Sequence, residues 1–567
     1  MFINPTVSAS KAISADKGIS AKNAISENKL LISAKLLTTV FLFAIASCGD
    51  QKTEDSMSSA SGNEQSGNHL YDSGYKAAFF ADTSRLQKLE AAFPVADSML
   101  KKYAIENHIP GMSYGIVVDG RLVHSASFGF SDIGKKTPVT TSTMFRIASM
   151  SKSFTALAIL KLRDEGRLSL EDPASKYIPL LADQRYATAD APQITIRHLL
   201  THGAGFPEDN PWGDRQLADT DKELMEFLGK KVSFSNPPGI NYEYSNLGFA
   251  LLGKIISVVT HKPYQQYIRE EIFDPLGMKN SGYEYSTIPA GQLAHGYRWL
   301  NEKWNEEELL HDQPDGSWGA MGALISSVDE FAKYMALHLR AWPPSNIPDT
   351  GVVKRSSVRE MHHPWRFNGL NLQYKYADGR NCPVVTAYCY GLNWTQDCEG
   401  KTIIAHSGGL PGFGSHWGIM PDYGIGIVCL ANRTYAGAGR VDVHILDTLV
   451  KRAGLERRVL PPSRILEQRR KELIGLFPDW QNARGSGIFA ENFFADNPVD
   501  SLIKYTRLSY AEAGKVISVS EVRAENQLRG DFVIKGENKN IRVYFTLSPE
   551  NPALIQEFKI YRVAKNQ

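Results

Sequence analysis

The amino-acid sequence predicts an α/β protein (α+β in strict usage): one antiparallel sheet flanked by helices, a helical subdomain set into it, and a small α+β domain at the C-terminal end. Three observations predict it. Strand-like runs stand at both ends of the stretch from about 95 to 450, helix-like segments lie between them, and Pro461-Pro462 precedes a second, shorter series of helices and strands.

The elements follow in order. Met112–Val118 and Leu122–Phe128 are apolar runs around Asp119-Gly120, a hairpin signal. Ser149–Glu165 has no proline, Ala and Leu in its interior and Gly166 just past its end, which predicts a helix. Phe249–Val259 and Asp329–Leu337 read as two more helices. Thr402–Ala405, Ser415–Met420 and Ile425–Leu430 read as strands, so strands from both ends would close one sheet. Beyond the prolines, Ile465–Phe477, Ile488–Phe494 and Val499–Leu508 read as helical. Runs near 515–521, 528–535, 541–547 and 555–563 read as strands, the later ones separated by turn residues.

The chain has 567 residues, enough for two or three folded units. It is 43% apolar and 22% charged, the balance of a globular protein. The net charge of +2 gives no case for a nucleic-acid partner or a basic membrane-binding face. Residues 1–48 hold five lysines and two acids, so the remainder has 58 bases against 59 acids. Within that segment Leu36–Ala46 is apolar, follows Lys29 and Lys35, and is too short to span a bilayer. It ends in Ile45-Ala46-Ser47-Cys48, which resembles a bacterial lipobox, cut before a cysteine that then carries lipid. The expected organisation is a lipoprotein signal over 1–48 with Cys48 lipidated, a Ser/Gly-rich tether over 49–85, a main domain over 86–455 and an accessory domain over 463–567. The expected location is the bacterial cell envelope, periplasmic or outer-membrane associated, with the membrane as partner through the lipid.

An oxidising compartment permits disulfides, and Cys382, Cys389 and Cys398 lie close enough in sequence for a local pair. Cys429, in G-I-G-I-V-C-L, reads as a packed thiol of a buried strand. The spacings lack partner histidines and do not suggest zinc.

The chemistry starts at Ser149-Met150-Ser151-Lys152. Residues i and i+3 share a helix face, so the lysine amine can reach the serine hydroxyl. A serine is a weak nucleophile until a base takes its proton, and apolar neighbours would lower the lysine pKa. Six other serines have a lysine three residues on: Ser8, Ser14, Ser26, Ser73, Ser98 and Ser501. Ser149 differs in opening a hydrophobic helix after F-R-I-A. A second element, Tyr244-Ser245-Asn246, can place a phenol and a carboxamide in a cleft, the phenol moving a proton if a nearby ammonium lowers its pKa. Its bland counterpart is a tyrosine-packed loop with Asn246 as helix N-cap. A third, His406-Ser407-Gly408-Gly409 after the strand T-I-I-A, offers a strand edge and a backbone N–H, that of Gly409, as half an oxyanion hole beside the N–H of Ser149. His416-Trp417-Gly418 reads as structural, and His202 in L-L-T-H-G-A-G-F as a buried, satisfied imidazole.

In this order the three elements resemble the serine β-lactamase and DD-peptidase (penicillin-binding-protein-like) superfamily, in its class C-like branch. L-L-T-H-G-A-G-F, P-P-G-I-N-Y-E-Y-S-N, F-D-P-L-G-M and H-S-G-G-L-P-G-F fit that branch, and the resemblance covers roughly 95–450. It implies a β-lactamase-like fold and acyl-enzyme hydrolysis without metal or cofactor. By position it assigns Ser149, Lys152 and Tyr244 to catalysis and Asn246, His406, Gly408 and Gly409 to substrate binding. His406 stands where β-lactamases carry lysine, and a histidine is mostly neutral at pH 7. That favours D-amino-acid peptides, amides or esters as the small-molecule or peptide substrate. The alternatives are a β-lactamase in the strict sense and a non-catalytic envelope binding or sensor protein of the same fold.

Overall fold

The computed structural model of the chain describes residues 74–289, 291–307 and 315–565. The first hairpin forms where expected. β1 (Gly111–Val118) and β2 (Arg121–Asp132) pair antiparallel across Asp119-Gly120, whose φ of 50° and 75° give the left-handed turn that suits twisted strands. The other strands of this sheet are β3 (Thr137–Pro138), β4 (Arg366–Asn371), β5 (Val384–Tyr388), β6 (Asn393–Asp397), β7 (Thr402–Leu410), β8 (Phe413–Met420) and β9 (Ile425–Ala431). Among the described residues these nine form one sheet, in the order β3-β2-β1-β9-β8-β7-β6-β5-β4, with every neighbouring pair antiparallel. The sheet is thus closed by strands from both ends of the domain.

Every residue of β1, β8 and β9 is buried, so these strands carry apolar residues on both faces rather than alternating with polar ones. Their side chains still alternate. Val428, Leu430 and Trp417 join one core; Ile427, Cys429 and Ala431 join the other. Five helices matter for the site: α1 (Phe93–Glu106), α2 (Ser151–Asp164), α3 (Asn246–Thr260), α4 (Val328–Arg340) and α5 (Gly439–Arg452). α1 and α5 cover one face through Leu100, Ile445 and Leu449. Phe331, Met335 and Leu339 of α4 cover the other, where the helical subdomain with α2 and α3 also packs. α2 is buried almost all round, the expected setting for a helix with no polar face.

Strands β4–β6 and the extension of β7 to Leu410 go beyond the sequence reading. The segment His406–Gly409 lies inside a strand rather than after one, because β8 pairs with it residue by residue to Leu410↔Phe413. Cys382 and Cys398 form the local disulfide, at the base of the β5–β6 hairpin, and Cys389 and Cys429 are buried thiols.

The C-terminal region has its own core. α6 (Arg464–Leu476) and α7 (Val499–Ala513) pack on a sheet of β10 (Val516–Val519), β11 (Arg523–Asn526), β12 (Arg529–Gly536), β13 (Asn540–Leu547) and β14 (Ile555–Val563), around Phe532, Ile541, Val543 and Phe545. The helix expected over Ile488–Phe494 does not form. Phe489 bridges to Ile555, and only Phe493–Asp496 is helical, so these apolar residues fill the core from an extended chain. β11 carries the polar run R-A-E-N and gave no strand signal.

The end of the expected tether is docked. Phe79 and Val459 exchange backbone hydrogen bonds of 3.0 and 2.8 Å, and the buried Arg85 donates to Asp119 and to the carbonyl of Tyr423. The expected signal with Cys48, and residues 49–73, lie outside the described residues. No helix among the described residues is long and apolar enough to cross a membrane.

Candidate active site

Ser149 stands at the entry to α2, in the turn Ala148–Met150. Ala148 has φ of 52°, a left-handed conformation that costs an alanine on the order of 1–2 kcal/mol. Ile147 holds it there. Its N–H donates to Leu324 O at 2.8 Å, and its carbonyl accepts from Ser415 Oγ of β8 at 2.7 Å. Gly408 of β7 lies against the same turn. A Cβ there would come within 2.3 Å of Ile147 O and 2.9 Å of Ala148 Cβ. Only glycine lets the strand approach this closely, so Gly408 sets where β7 stands relative to Ser149.

Lys152 lies one turn further along α2 and is fully buried. Its Nζ lies 3.1 Å from Ser149 Oγ, 2.7 Å from Asn246 Oδ1 and 2.9 Å from Met321 O. Among the described residues no carboxylate touches it. Burial lowers its pKa to about 7, with Asp214 and Asp209 pulling the other way. A neutral amine has two N–H donors and one lone pair. The carbonyl and the carboxamide oxygen can only accept, so the lone pair of the neutral form falls to the Ser149 hydroxyl.

Asn246 is the first residue of α3, and Ser245, not Asn246, caps that helix by accepting from Gly248 N at 3.4 Å. The carboxyl of Asp209 adds to the cap, accepting from Asn246 N at 2.7 Å and Leu247 N at 2.9 Å. The Asn246 amide is fully buried. It accepts from Lys152 and donates to Asn210 Oδ1 at 2.6 Å, so it holds the lysine rather than facing the cleft.

Tyr244 lies with its ring 4.7 Å from Lys152 Nζ. Burial pushes its pKa well up, against a hydrogen bond with Ser149. The lysine is brought towards neutrality, as its apolar neighbours predicted, but the expected lowering of the tyrosine pKa is reversed by burial, and Tyr244 stays a neutral phenol. His202 sits behind Tyr244, ring centroids 4.3 Å apart. Its Nδ1 accepts from Ser245 N at 3.1 Å, while its buried Nε2 has no partner, so this imidazole is satisfied at one nitrogen only.

His406 is buried, and burial with the Lys152 charge lowers its pKa to about 3. Its Nδ1 lies 2.6 Å from Ser407 O, which can only accept, so the proton is on Nδ1 and Nε2 accepts from Tyr388 Oη at 3.0 Å. The third motif thus presents a neutral imidazole. His416, its rival across the hairpin, pairs with the buried Asp442 of α5 at 2.7 Å, away from the cleft.

The backbone of β7 has an open edge. The two-residue turn makes Leu410 and Phe413 a hydrogen-bonded pair, so His406 and Gly408 direct their backbone groups to β8. Ser407 and Gly409 direct theirs the other way, and there the partner strand β6 begins only at Asn393↔Ala405. The Gly409 N–H therefore faces the cleft.

These groups line a cleft of about 360 Å³: Ser149, Tyr244, His406, Gly408 and Gly409 with Asn210, Asp214, Tyr242, Asn393, Ser407 and Tyr435. Ser407 belongs to the third motif and Tyr242 to the quoted P-P-G-I-N-Y-E-Y-S-N, but Asn210, Asp214, Asn393 and Tyr435 had no sequence signal; Asp214 and Tyr435 lie in ordinary loop runs, G-D-R and R-T-Y-A. A larger cavity of about 740 Å³ beside α4 contains none of the motif residues. Among the described residues one acidic group, Asp397, Glu399 and Asp447, is compact enough to hold an ion. Lys401 lies 2.6 Å from both Glu399 and Asp447, and Arg380 bonds the same two, so the group is an ion-pair network, and none of its members lines the cleft.

Comparison with known proteins places this geometry. The family model described as Beta-lactamase matches residues 96–450. Protein flp of Staphylococcus aureus strain MW2 is 29% identical over 343 residues, 59% of this chain and 62% of that protein. Beta-lactamase-like protein 2 of Dictyostelium discoideum is 33% identical over 266 residues, 45% of this chain and 47% of that protein. The chain therefore matches less than two thirds of the length of either relative. The octameric penicillin-binding protein homologue from Pyrococcus abyssi superposes with a TM-score of 0.51 at 23% identity, over 84% of this chain and 94% of that one, a likeness of fold.

Proposed function

The chain belongs to the β-lactamase family, and from that premise we propose that it is a serine hydrolase that works through an acyl-enzyme on Ser149 and cleaves amides, esters or D-amino-acid peptides. One observation carries the reading: a fully buried lysine amine, held by two pure acceptors, with its third position on the hydroxyl of Ser149. Neutral Lys152 takes the Ser149 proton as Oγ bonds to the carbonyl carbon. The oxyanion is received by the N–H of Ser149, which stands in the turn that leads into α2 and so before its hydrogen-bond ladder begins, and by the N–H of Gly409. Tyr244, a neutral phenol beside Lys152, gives its proton to the leaving nitrogen or oxygen and regains one from the lysine ammonium. Water then attacks the ester, its proton passing to the same pair, and Ser149 leaves with a proton restored. Asn246 orients the lysine, Gly408 admits the strand, and His406 shapes the wall without charge.

A strict β-lactamase reading asks for a cation to meet the substrate carboxylate, and among the described residues the lining includes neither lysine nor arginine. The experiment is labelling with a fluorophosphonate and with fluorescent penicillin. At least one should mark Ser149 and neither should mark Ser149→Ala. No labelling by either would sink the acyl-enzyme reading. Turnover of a chromogenic cephalosporin at a rate typical of dedicated β-lactamases would favour the strict reading instead. We place the protein in the cell envelope, anchored through lipid on Cys48. The disulfide Cys382–Cys398 fits an oxidising compartment. Recovery of the full chain in membranes should be lost in Cys48→Ala.

A further inference from the structure

One end of the cleft is built from residues outside the three motifs. Asp214 lies on the short turn Gly213–Arg215. Gly213 packs on the residue that holds the lysine: a Cβ there would come within 3.0 Å of Asn246 Cβ and Nδ2. Tyr435 lies between β9 and α5, on the opposite wall, against the open edge of β7. A Cβ on Gly409 would come within 2.7 Å of the Tyr435 ring. The Tyr435 hydroxyl donates to Asp214 Oδ2 at 3.0 Å. The pair therefore bridges the two walls, from the Asn246 side to the Gly409 side, with Ser149 in the lining between them.

Two features mark this bridge as more than packing. Tyr435 has φ of 52°, a left-handed conformation that a bulky residue adopts only where its surroundings impose it, and such outliers gather at ligand sites. Asp214 is 2% exposed, yet it lines the cleft. A buried carboxylate is costly unless a cation or several donors meet it. Among the described residues the hydroxyl of Tyr435 is the one side-chain donor in contact, and Lys152 acts on it at longer range while its amine is held by Ser149, Asn246 and Met321. Arg215 is exposed and outside the lining, and Arg298 is bound to Glu307 at 2.7 Å.

A carboxylate acceptor beside an aromatic ring is the pairing that receives an ammonium, by charge-assisted hydrogen bonds and by cation–π attraction. The same pair repels a carboxylate, and among the described residues the lining holds no lysine or arginine to offset that. We propose that Asp214 and Tyr435 form an ammonium-binding subsite, so that the molecules this cleft accepts carry a primary amine near the carbonyl rather than a carboxylate. The substrate assignment rests on the acyl-enzyme reading above; the binding assignment does not.

The test uses the full chain with Ser149→Ala, which cannot be acylated, titrated calorimetrically with phenylalaninamide and with its des-amino analogue 3-phenylpropanamide. The ammonium ligand should bind about tenfold or more tightly, the scale of one charge-assisted hydrogen bond. The difference should vanish when Asp214→Asn is added and shrink with Tyr435→Leu. Equal affinities, or a difference that survives Asp214→Asn, overturn the subsite. A third ligand in which a carboxylate replaces the amine needs no further variant and guards against misfolding of Asp214→Asn. It should bind no better than the neutral one, and tighter binding overturns the proposal as well. Because this protein cannot be acylated, a negative result here leaves the acyl-enzyme reading standing, while absent fluorophosphonate labelling of the unsubstituted protein sinks that reading alone.

Discussion

Lys152 beneath the cleft and Arg469 in the C-terminal region are both buried basic side chains, and they are held in opposite ways. Arg469 donates to Ala553 O at 2.9 Å and to the carboxylate of Glu472 at 2.6 Å, so its charge is met on contact. Lys152 touches a hydroxyl, a carboxamide oxygen and a carbonyl, with Asp209 and Asp214 acting only from further off. A guanidinium does not give up its proton, and a contact ion pair keeps it structural. An amine buried among neutral acceptors is brought to the point where its proton is exchangeable near pH 7. Burial alone does not distinguish a catalytic group from a structural one; the absence of a contacting counter-ion does.

Four experiments break or sharpen this contrast, taken by their expected effect on acylation of Ser149. Lys152→Met should slow labelling by a fluorophosphonate by about 10²–10⁴-fold, the usual worth of a general base, in a protein that still melts cooperatively. A rate within threefold of the parent would remove Lys152 from the chemistry. The pH dependence comes second. Below about 7 the amine is protonated and its lone pair is gone, so kcat/KM for an activated ester should fall tenfold per pH unit as pH drops, and level off above. The groups around it are Asp209, Asp214, His202 and His406. Burial holds both imidazoles neutral, and the carboxylates favour the ammonium, so Asp214→Asn should move the limb to lower pH. A limb that moves upward would contradict this account.

Gly408→Ala is the third. The added methyl meets Ile147 O and Ser415 Oγ at 2.3 Å, both fixed by backbone or hydrogen bonds, so the Ser149 turn and β7 must separate. Acylation should fall about tenfold and stability by about 1–3 kcal/mol, read by thermal melting. Arg469→Met should have the smallest effect on chemistry. Acylation should stay within twofold, while chemical denaturation followed in the C-terminal domain should lose about 1–3 kcal/mol from the unpaired carbonyl and the lost pair. A large loss of acylation there would mean that the C-terminal region acts on the cleft.

Some of the site could be read in the sequence because it is local. The i, i+3 spacing puts Lys152 beside Ser149 whatever packs around them, Asp119-Gly120 fixes a hairpin through its own backbone, and Tyr244, His406 and Gly409 were found because the three motifs occur in one order. Asp214 and Tyr435 could not be found this way. They lie 221 residues apart and meet only because two loops face each other across the cleft. The β4–β6 strands escaped for a related reason: half-exposed strands near a sheet edge carry mixed residues and no clear period.

The sequence by itself determined that seven serines have a lysine three residues on, that one of them opens an apolar helix, and that the third motif carries histidine. It did not determine which pair is buried. Ser98 with Lys101 and Ser501 with Lys504 share the spacing, and both pairs lie exposed on helices, where water keeps the amine charged. Lys152 is different because Asn246 and Met321, 94 and 169 residues further along the chain, close over it. Desolvation is a property of everything that surrounds a group, so the tertiary structure alone decided which lysine sits in a site suited to act as a base, while for His406 burial deepened a neutrality that the histidine itself already favoured.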